Sequence, residues 1–187
     1  PMIRGFIDFD NLDRTLVFDR LPLDQGISLP GLKLELGGTG IGVFARNHQA
    51  LLVLGQPRIR DAGLAGLVER DGWAASIPQL CDAPDEFLGK LAGRFALLWL
   101  DTAKGKIGFA SDRFNTYGFC YASEGRRLSF ADRANEVPAL ERELDPQSIF
   151  DYLYFHTIPA PGTIFKGVFR LEPGARRVLL AASAFGE

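Results

Sequence analysis

The sequence has few residues of the types that carry metal, disulfide or covalent chemistry. Its two cysteines, Cys81 and Cys120, are too few for a disulfide framework and fit a reducing compartment, which predicts a cytoplasmic protein. Its two histidines, His48 and His156, have no second ligand at metal-binding spacing. The composition therefore argues against a disulfide-stabilised secreted domain and against a zinc site.

Long apolar runs and an excess of positive charge are also missing. The longest uninterrupted apolar run, residues 95–100, is far too short to cross a bilayer, and no secretion signal opens the chain. The formal net charge of −2 gives no basic stripe of the kind that nucleic acid requires. We therefore expect neither a membrane nor a nucleic acid as partner.

What is present fits an ordinary globular domain. The chain has 187 residues, of which 47% are hydrophobic and 24% are charged, so residues 1–187 are expected to form one domain. Pro1 precedes Met2, and residues 179–184 run out without a closing element. These ends predict that Met2 is the natural start and that the chain was cut from a longer polypeptide.

The hydrophobic rhythm is mostly that of short strands. Asp145-Pro146 is expected to begin a helix as N-cap and first helical residue, and Pro84 begins another. A third helix is expected over residues 60–70. The predicted strands are residues 3–9, 32–36, 41–45, 50–54, 94–100, 107–110, 119–122, 127–131 and 175–180. Periodicity alone thus predicts an α+β fold with mostly antiparallel sheet.

Two short patterns are typical of ligand sites, and each is better explained by a turn. Residues 40–45 match a G-x-G-x-x-A dinucleotide fingerprint, with Asp61 near the ribose-binding position, but a strand rather than the required helix follows the glycines. Asp8, Asp10 and Asp13 suggest a calcium loop, but Leu12 stands where a ligand is needed. A solvated acidic turn is the favoured interpretation there. Cys120 is expected in the core and Cys81 in an exposed loop.

The second half of the chain carries a more specific signal. Residues 91–101, LAGRFALLWLD, resemble the L-x-G-x-F-A-x-x-x-W-D run of asparagine synthetases. Residues 110–121 resemble the R-D-R-x-G-x-K-P-L-Y-Y segment that follows it, and residues 128–131 stand where that family has L-x-F-A-S-E. The helix from Asp145 matches D-x-x-x-L-x-x-Y-L, and residues 158–174 resemble P-x-P-x-T-I-F-x-G-I followed by L-x-P-G. Five blocks in the right order indicate a relative of that family.

The resemblance implies a class II glutaminase domain with the N-terminal-nucleophile hydrolase fold. That fold is a four-layer αββα sandwich of two antiparallel sheets. In the family, a separate synthetase domain binds ATP and magnesium and joins an activated carboxylate to ammonia. Its S-G-G-x-D-S pyrophosphate loop is absent from these residues, so no cofactor is expected in this domain. A synthetase domain, in cis or in trans, is the expected partner.

Tested residue by residue, the glutaminase chemistry implied by the resemblance is missing. The nucleophile should be a cysteine directly after the initiator methionine, and Ile3 stands there. The oxyanion hole should come from an Asn-Gly pair, where this chain has Leu54 and Gly55. The acidic S-D-T-E segment that holds the substrate amine has no counterpart near residues 75–82. We therefore predict that the domain has no catalytic residues.

Three functions remain open from the sequence. The first is an inactive scaffold domain of an amide-forming ligase, as in β-lactam synthetases and lasso-peptide cyclases, which join an internal amine instead of ammonia. The second is the corresponding domain of an ammonia-dependent asparagine synthetase. The third is a freestanding binding module that uses the vacated pocket. The family-motif residues expected to serve the fold or a domain contact are Gly55, Asp112, Arg113, Pro159, Pro161, Phe165 and Gly167.

Overall fold

Two antiparallel sheets dominate the computed structural model, which describes residues 2–138 and 142–180. The strands are β1 Met2–Asp8, β2 Ile27–Leu29, β3 Leu32–Gly37, β4 Ile41–Arg46, β5 Gln49–Ile59, β6 Leu91–Asp101, β7 Lys106–Ser111, β8 Cys120–Glu124, β9 Arg127–Ala131, β10 Phe169–Arg170 and β11 Arg176–Leu180. The α-helices are α1 Ala62–Asp71, α2 Ile77–Asp82, α3 Pro84–Gly89 and α4 Pro146–Phe155. Pro1 and residues 181–184, on which the predictions about the chain ends rest, lie outside the described residues.

The strand order explains why β1 occupies a central position. One sheet has six strands in the order β10-β8-β9-β1-β3-β2, and the other has five in the order β11-β7-β6-β5-β4. The paired strands run antiparallel. Within the first sheet, Ile3 pairs with Leu36 of β3, and Gly5 pairs with both Leu34 of β3 and Phe130 of β9. The predicted α+β fold with mainly antiparallel sheet is confirmed.

The largest core lies between the two sheets. Successive strand residues point to opposite faces, so alternate residues of each strand enter this layer. Ile3 and Ile7 of β1 meet Leu52, Leu54 and other residues of the second sheet there. Phe109 packs at a tilt against further aromatic rings in the same layer, with its ring centroid 5.3 Å from that of Phe119 and 5.6 Å from that of Phe130. The two sheets therefore pack face to face, as the resemblance implies.

A helical layer covers the other face of the five-stranded sheet. Buried residues of α1, α2 and α3 pack there against β5, β6 and β7, around Trp99. Cys81 belongs to this cluster: it lies in α2 and only 3% of it is exposed. The expectation that Cys81 sits in an exposed loop is therefore wrong, because residues 77–82 form a short helix that the sequence pattern did not reveal.

The outer face of the six-stranded sheet has a smaller cover. Cys120, Ala131, Val137 and Val168 are buried there, with Phe165 packed against them. The cover comes from the turn Ala134–Glu136 and from the segment before β10. Helix α4 is joined to this segment by an isolated β-bridge between Leu144 and Phe165. Cys120 is thus a core residue, as predicted.

The local turn chemistry agrees with the sequence-based expectation at two positions. Gly40 leads into β4, which pairs with β5 as a hairpin, so the glycine pattern serves a strand and not a nucleotide-binding helix. Asp61, the other half of that pattern, caps α1 by accepting a hydrogen bond from the Leu64 N–H at 2.7 Å. Asp145 caps α4 in the same way and accepts from Gln147 N–H at 3.2 Å. The predicted strand after the glycines and the helix beginning at Asp145-Pro146 are confirmed.

Candidate functional site

Ile3 occupies the position that the resemblance assigns to the nucleophile. It is the second residue of β1, and its side chain is fully buried between the sheets. Its N–H donates to Asp132 Oδ1 at 3.2 Å, and its carbonyl accepts from the Asp132 N–H at 2.9 Å. An aliphatic side chain offers no lone pair for attack on an amide carbonyl, and this backbone nitrogen is held in a strand.

Leu54 and Gly55 lie at the position assigned to the oxyanion hole. Leu54 is 1% exposed and belongs to the same inter-sheet core as Ile3. The Gly55 N–H donates to the Gly40 carbonyl at 3.0 Å. A donor committed to a neighbouring carbonyl is not free to stabilise a developing oxyanion. The side-chain donor is therefore absent here, and the backbone donor is engaged.

Gly55 survives for a steric reason. Its φ is +81°, a conformation that residues with a side chain rarely adopt. A Cβ atom at this position would stand 2.4 Å from Tyr117 Cε2 and 2.6 Å from the Arg94 carbonyl oxygen. The close approach of Tyr117 and β6 thus requires glycine, independently of any catalytic role.

A cavity of about 620 Å³ opens beside Gly55. It is lined by Gly40, Gly55, Gln56, Pro57, Arg58, Arg94 and Tyr117. Neither Ile3 nor Leu54 is among these lining residues, because both side chains are packed into the inter-sheet core. The cavity beside the position assigned to the oxyanion hole therefore does not open onto the position assigned to the nucleophile.

The two cysteines lie in other layers of the molecule. Cys81 belongs to the helical layer, and burial raises the pKa of its thiol to about 12, with a further contribution from the Asp101 carboxylate. Cys120 belongs to the outer face of the six-stranded sheet, where burial also raises the pKa of its thiol. Neither cysteine belongs to the core that contains Ile3, so neither thiol replaces the missing nucleophile.

Residues 75–82, where the acidic segment of the family would lie, are occupied by structural elements. The turn Trp73–Ser76 leads directly into α2, which is six residues long. The one acidic residue in the segment, Asp82, accepts a hydrogen bond from Lys104 Nζ at 2.6 Å. This segment therefore presents no free carboxylate to the cavity beside Gly55.

Asp112 serves as a junction between elements. It is 3% exposed, and its carboxylate accepts hydrogen bonds from the N–H groups of Phe95 at 3.0 Å, Phe114 at 2.7 Å and Thr116 at 3.3 Å. Its backbone carbonyl accepts from Gly174 N–H at 2.8 Å. A carboxylate that satisfies buried backbone donors in this way holds β6, the end of β7 and the following turn together.

Arg113, the next residue, has a different environment. It is exposed and lines a second cavity of about 470 Å³ at the ends of β6 and β7. Within residues 2–138 and 142–180, its guanidinium has no hydrogen bond or ion pair. The contacts of Asp112 therefore give it a structural role, whereas the guanidinium of Arg113 makes no contact of that kind with the described residues.

The remaining family-motif residues lie in the segment that precedes β10. The Pro159 carbonyl accepts from Gly162 N–H at 3.0 Å, and the Pro161 carbonyl accepts from Arg170 N–H at 2.7 Å. Phe165 packs on the outer face of the six-stranded sheet, and Gly167 turns the chain with a φ of +72°. All four therefore shape the cover of that sheet and lie apart from the two cavities.

Metal-binding clusters and membrane-spanning helices are not found among the described residues. In residues 2–138 and 142–180, no three His, Cys, Asp or Glu side chains lie close enough together to hold a metal ion. No helix within those ranges is long and apolar enough to span a bilayer. Asp8 and Asp13 instead fold their own turn, accepting from Asp10 N–H and Thr15 N–H at 3.0 and 2.9 Å.

The chain is thus an α+β sandwich with its two antiparallel sheets packed face to face. Residues 79–185, more than half of the chain, match the family of the glutamine amidotransferase domain. The chain belongs to this family.

Other comparisons add little. A search of curated proteins gave no match. Among solved structures, the allosteric regulatory enzyme of purine biosynthesis is similar, with 14% sequence identity and a TM-score of 0.43. The match covers 96% of this chain and 40% of that one, so this chain spans well under half of that enzyme's length.

Sequence reasoning missed two features of the site. Strand β5 continues through Gly55 to Ile59, beyond the strand predicted at residues 50–54, so Arg58 lies on a sheet. The hydrogen bond between Gly55 and Gly40 was also not foreseen. The alternation of Gln56, Arg58 and Arg60 was a usable strand signal, but Gly55 and Pro57 masked it.

Ile3 provides the first testable prediction. Replacing Ile3 by Ala leaves a cavity in the inter-sheet core and is expected to lower the free energy of unfolding by about 2–5 kcal/mol, whereas Ile3→Val costs about 0.5–1.5 kcal/mol. Urea denaturation of both variants measures the difference. Val17, which is 39% exposed, supplies the control, since Val17→Ala should stay within about 0.5 kcal/mol. An Ile3→Ala cost no larger than this control would contradict the burial of Ile3.

The thiols provide the second prediction. With a pKa of about 12, roughly one Cys81 side chain in ten thousand is a thiolate at pH 8, and packing also restricts access to both cysteines. Native protein is therefore expected to react with Ellman's reagent only at the slow rate of unfolding, whereas protein in urea releases two equivalents at once. Fast labelling of either cysteine in native protein would show that a thiol is available for chemistry.

Proposed function

We propose that this chain is a catalytically inactive glutamine amidotransferase-like domain and acts as a scaffold for an ATP-dependent, amide-forming synthetase domain of the asparagine-synthetase type. The observation that carries the proposal is the burial of Ile3, an aliphatic residue, at the position that the resemblance assigns to the nucleophile.

Three groups that the reaction needs are absent or engaged elsewhere. The nucleophile and its amine base would come from one terminal residue, and here that position is a strand residue bonded to Asp132. The oxyanion hole lacks the side-chain donor at Leu54, and the loss of one such donor typically costs about 2.7–4 kcal/mol of transition-state stabilisation. The Gly55 N–H is engaged as well. Reversing any one of these changes would leave the other two.

The scaffold, in contrast, is intact. Asp112 satisfies its backbone partners, the inter-sheet core is filled by large side chains, and the helical layer packs around Trp99. A chain under no requirement to hydrolyse glutamine would still need this core to remain folded. An intact fold that lacks the residues for glutamine hydrolysis favours a scaffold role.

Helix α4 offers the surface for the partner. It has five large apolar side chains that are each more than half exposed, namely Phe150, Tyr152, Leu153, Tyr154 and Phe155. The rings of Phe150 and Tyr154 stack with their centroids 6.1 Å apart. An exposed aromatic cluster of this kind is typical of a protein interface. We assign it to the synthetase domain, because α4 belongs to the blocks that resemble the family in which that domain is the partner.

This assignment gives the two domains different roles. ATP and magnesium would bind in the synthetase domain, and this domain would supply no cofactor ligand. An amine within the substrate itself would take the place of ammonia, as in the β-lactam synthetases and lasso-peptide cyclases. Such a reaction has no use for glutamine, which accounts for the lost site. We place the assembly in the cytoplasm.

The lack of glutaminase activity can be tested directly. Isothermal titration with L-glutamine is expected to give no binding heat, and ammonia release is expected to stay at the level of a mock purification, because nucleophile and oxyanion donors are missing. Ammonia release that rises in proportion to the concentration of repurified protein would end the proposal.

The scaffold role requires a separate test on the assembly that contains both domains. Leu153→Asp and Tyr154→Asp place a charge on the apolar face of α4 and are expected to weaken domain association and amide formation at least tenfold. Gly66→Asp is the matched control, because Gly66 lies on the exposed surface of α1, and a Cβ atom added there would have no neighbouring atom within 4 Å. Analytical ultracentrifugation and limited proteolysis report association. Equal behaviour of the α4 variants and Gly66→Asp would contradict the docking assignment.

A further inference from the structure

The two cavities beside β6 share one lining residue, and arginines line both of them. Arg94 lines both the 620 Å³ cavity next to Gly55 and the 470 Å³ cavity next to Arg113. Arg58 lines the first, and Arg60 and Arg113 line the second. We call Arg58, Arg60, Arg94 and Arg113 the arginine cleft. Volumes in this range are typical of small-molecule pockets.

Strand pairing brings two of these arginines together. Gln56 of β5 lies opposite Arg94 of β6, and Arg58 is two residues further along β5 on the same face. Diagonal neighbours in an antiparallel pair lie within reach of long side chains, at about 7–8 Å. The backbone thus places the two side chains on one face within reach of each other, and their like charges repel when no anion is present.

None of the four arginines has a partner in the part of the chain that the structure describes. No hydrogen bond, ion pair or ring contact of their guanidinium groups occurs there. Several arginines elsewhere are paired: Arg4 bonds to Glu35 and Glu136, and Arg70 bonds to Asp71. The net charge of the chain is −2, so an unpaired positive cluster does not follow from composition.

The acidic residues of the cleft do not neutralise it. Asp85 is engaged by Arg176 at the rim of the second cavity. Asp112 is buried and its carboxylate already accepts three hydrogen bonds from backbone N–H groups. These two aspartates are the acidic members of the lining, against five arginines when Arg176 is included. The unpaired guanidinium groups therefore present free donors to a concave, positively charged space.

We propose that the arginine cleft binds a small molecule with two or more oxyanion groups, and that Arg94 contacts it from between the two cavities. The planar guanidinium donates paired hydrogen bonds to carboxylate and phosphate alike, so either group satisfies the cleft. The concave shape favours a small molecule over a flat protein surface. Binding requires no bond cleavage and is independent of the missing glutaminase residues.

The test uses isothermal titration of the chain with pyrophosphate, with citrate and with glycerol, at low salt and at physiological salt. We expect saturable binding with one ligand per chain for pyrophosphate, citrate or both, weakened but retained at the higher salt. The two anions distinguish phosphate from carboxylate chemistry, and neutral glycerol should give no heat. No saturable heat with either anion would overturn the proposal.

Variants locate the site. Arg94→Gln, which removes a charge at an exposed position without changing the core, should weaken binding at least tenfold. Arg20→Gln removes the same charge at an exposed position outside both cavities and should change the affinity less than twofold. Unchanged thermal melting of both variants confirms that they fold. An equal loss in the two variants would show that only net charge matters and would refute the site, leaving the glutamine result untouched.

Discussion

The apolar layer between the two sheets is the constraint on which the rest of the structure depends. Each sheet must bury one face, and the inward residues of β1, β5, β6 and β9 fill the space between them. Burial of a side chain as large as Ile3 stabilises the fold by about 1.5–3 kcal/mol. A catalytic cysteine at this position would need a free α-amine as its base and open space in which a substrate could reach the thiol. We propose that closing the layer with isoleucine stabilises the sandwich and removes the reaction in the same step.

The uninterrupted pairing of the five-stranded sheet explains why the backbone donor at Gly55 is engaged. Strand β5 pairs with β6 without interruption from Gln49 to Ile59, and its partner on the other side, β4, begins immediately after Gly40. This continuity places the Gly55 N–H against the Gly40 carbonyl. A loop in that region would leave the N–H free for an oxyanion. The extended ladder uses the donor for structure, and it also brings Arg58 beside Arg94.

Sequence reasoning was strongest where a signal was local. The alternation of apolar residues predicted the strands, and Asp145-Pro146 predicted the start of α4, because capping depends on neighbouring residues. It failed where the outcome depended on distant partners. Gly55 and Pro57 are typical of turns, yet pairing with β6 keeps them in a strand. The apolar face of α4 could be predicted from periodicity, but whether another element covers it could not.

The adjacent residues Asp112 and Arg113 show how fold and function separate within one motif. Both belong to the block that resembles the family, and both could have been assigned to structure from the sequence alone. Their side-chain hydrogen bonds differ. The Asp112 carboxylate accepts from the backbone N–H groups of three residues, whereas the Arg113 guanidinium bonds to none of the described residues. A buried carboxylate without partners would be costly, so the fold alone requires the bonds of Asp112. The fold does not require an exposed, unpaired guanidinium, and Arg113 lines a cavity with Arg60 and Arg94, which is why we propose that it serves a ligand.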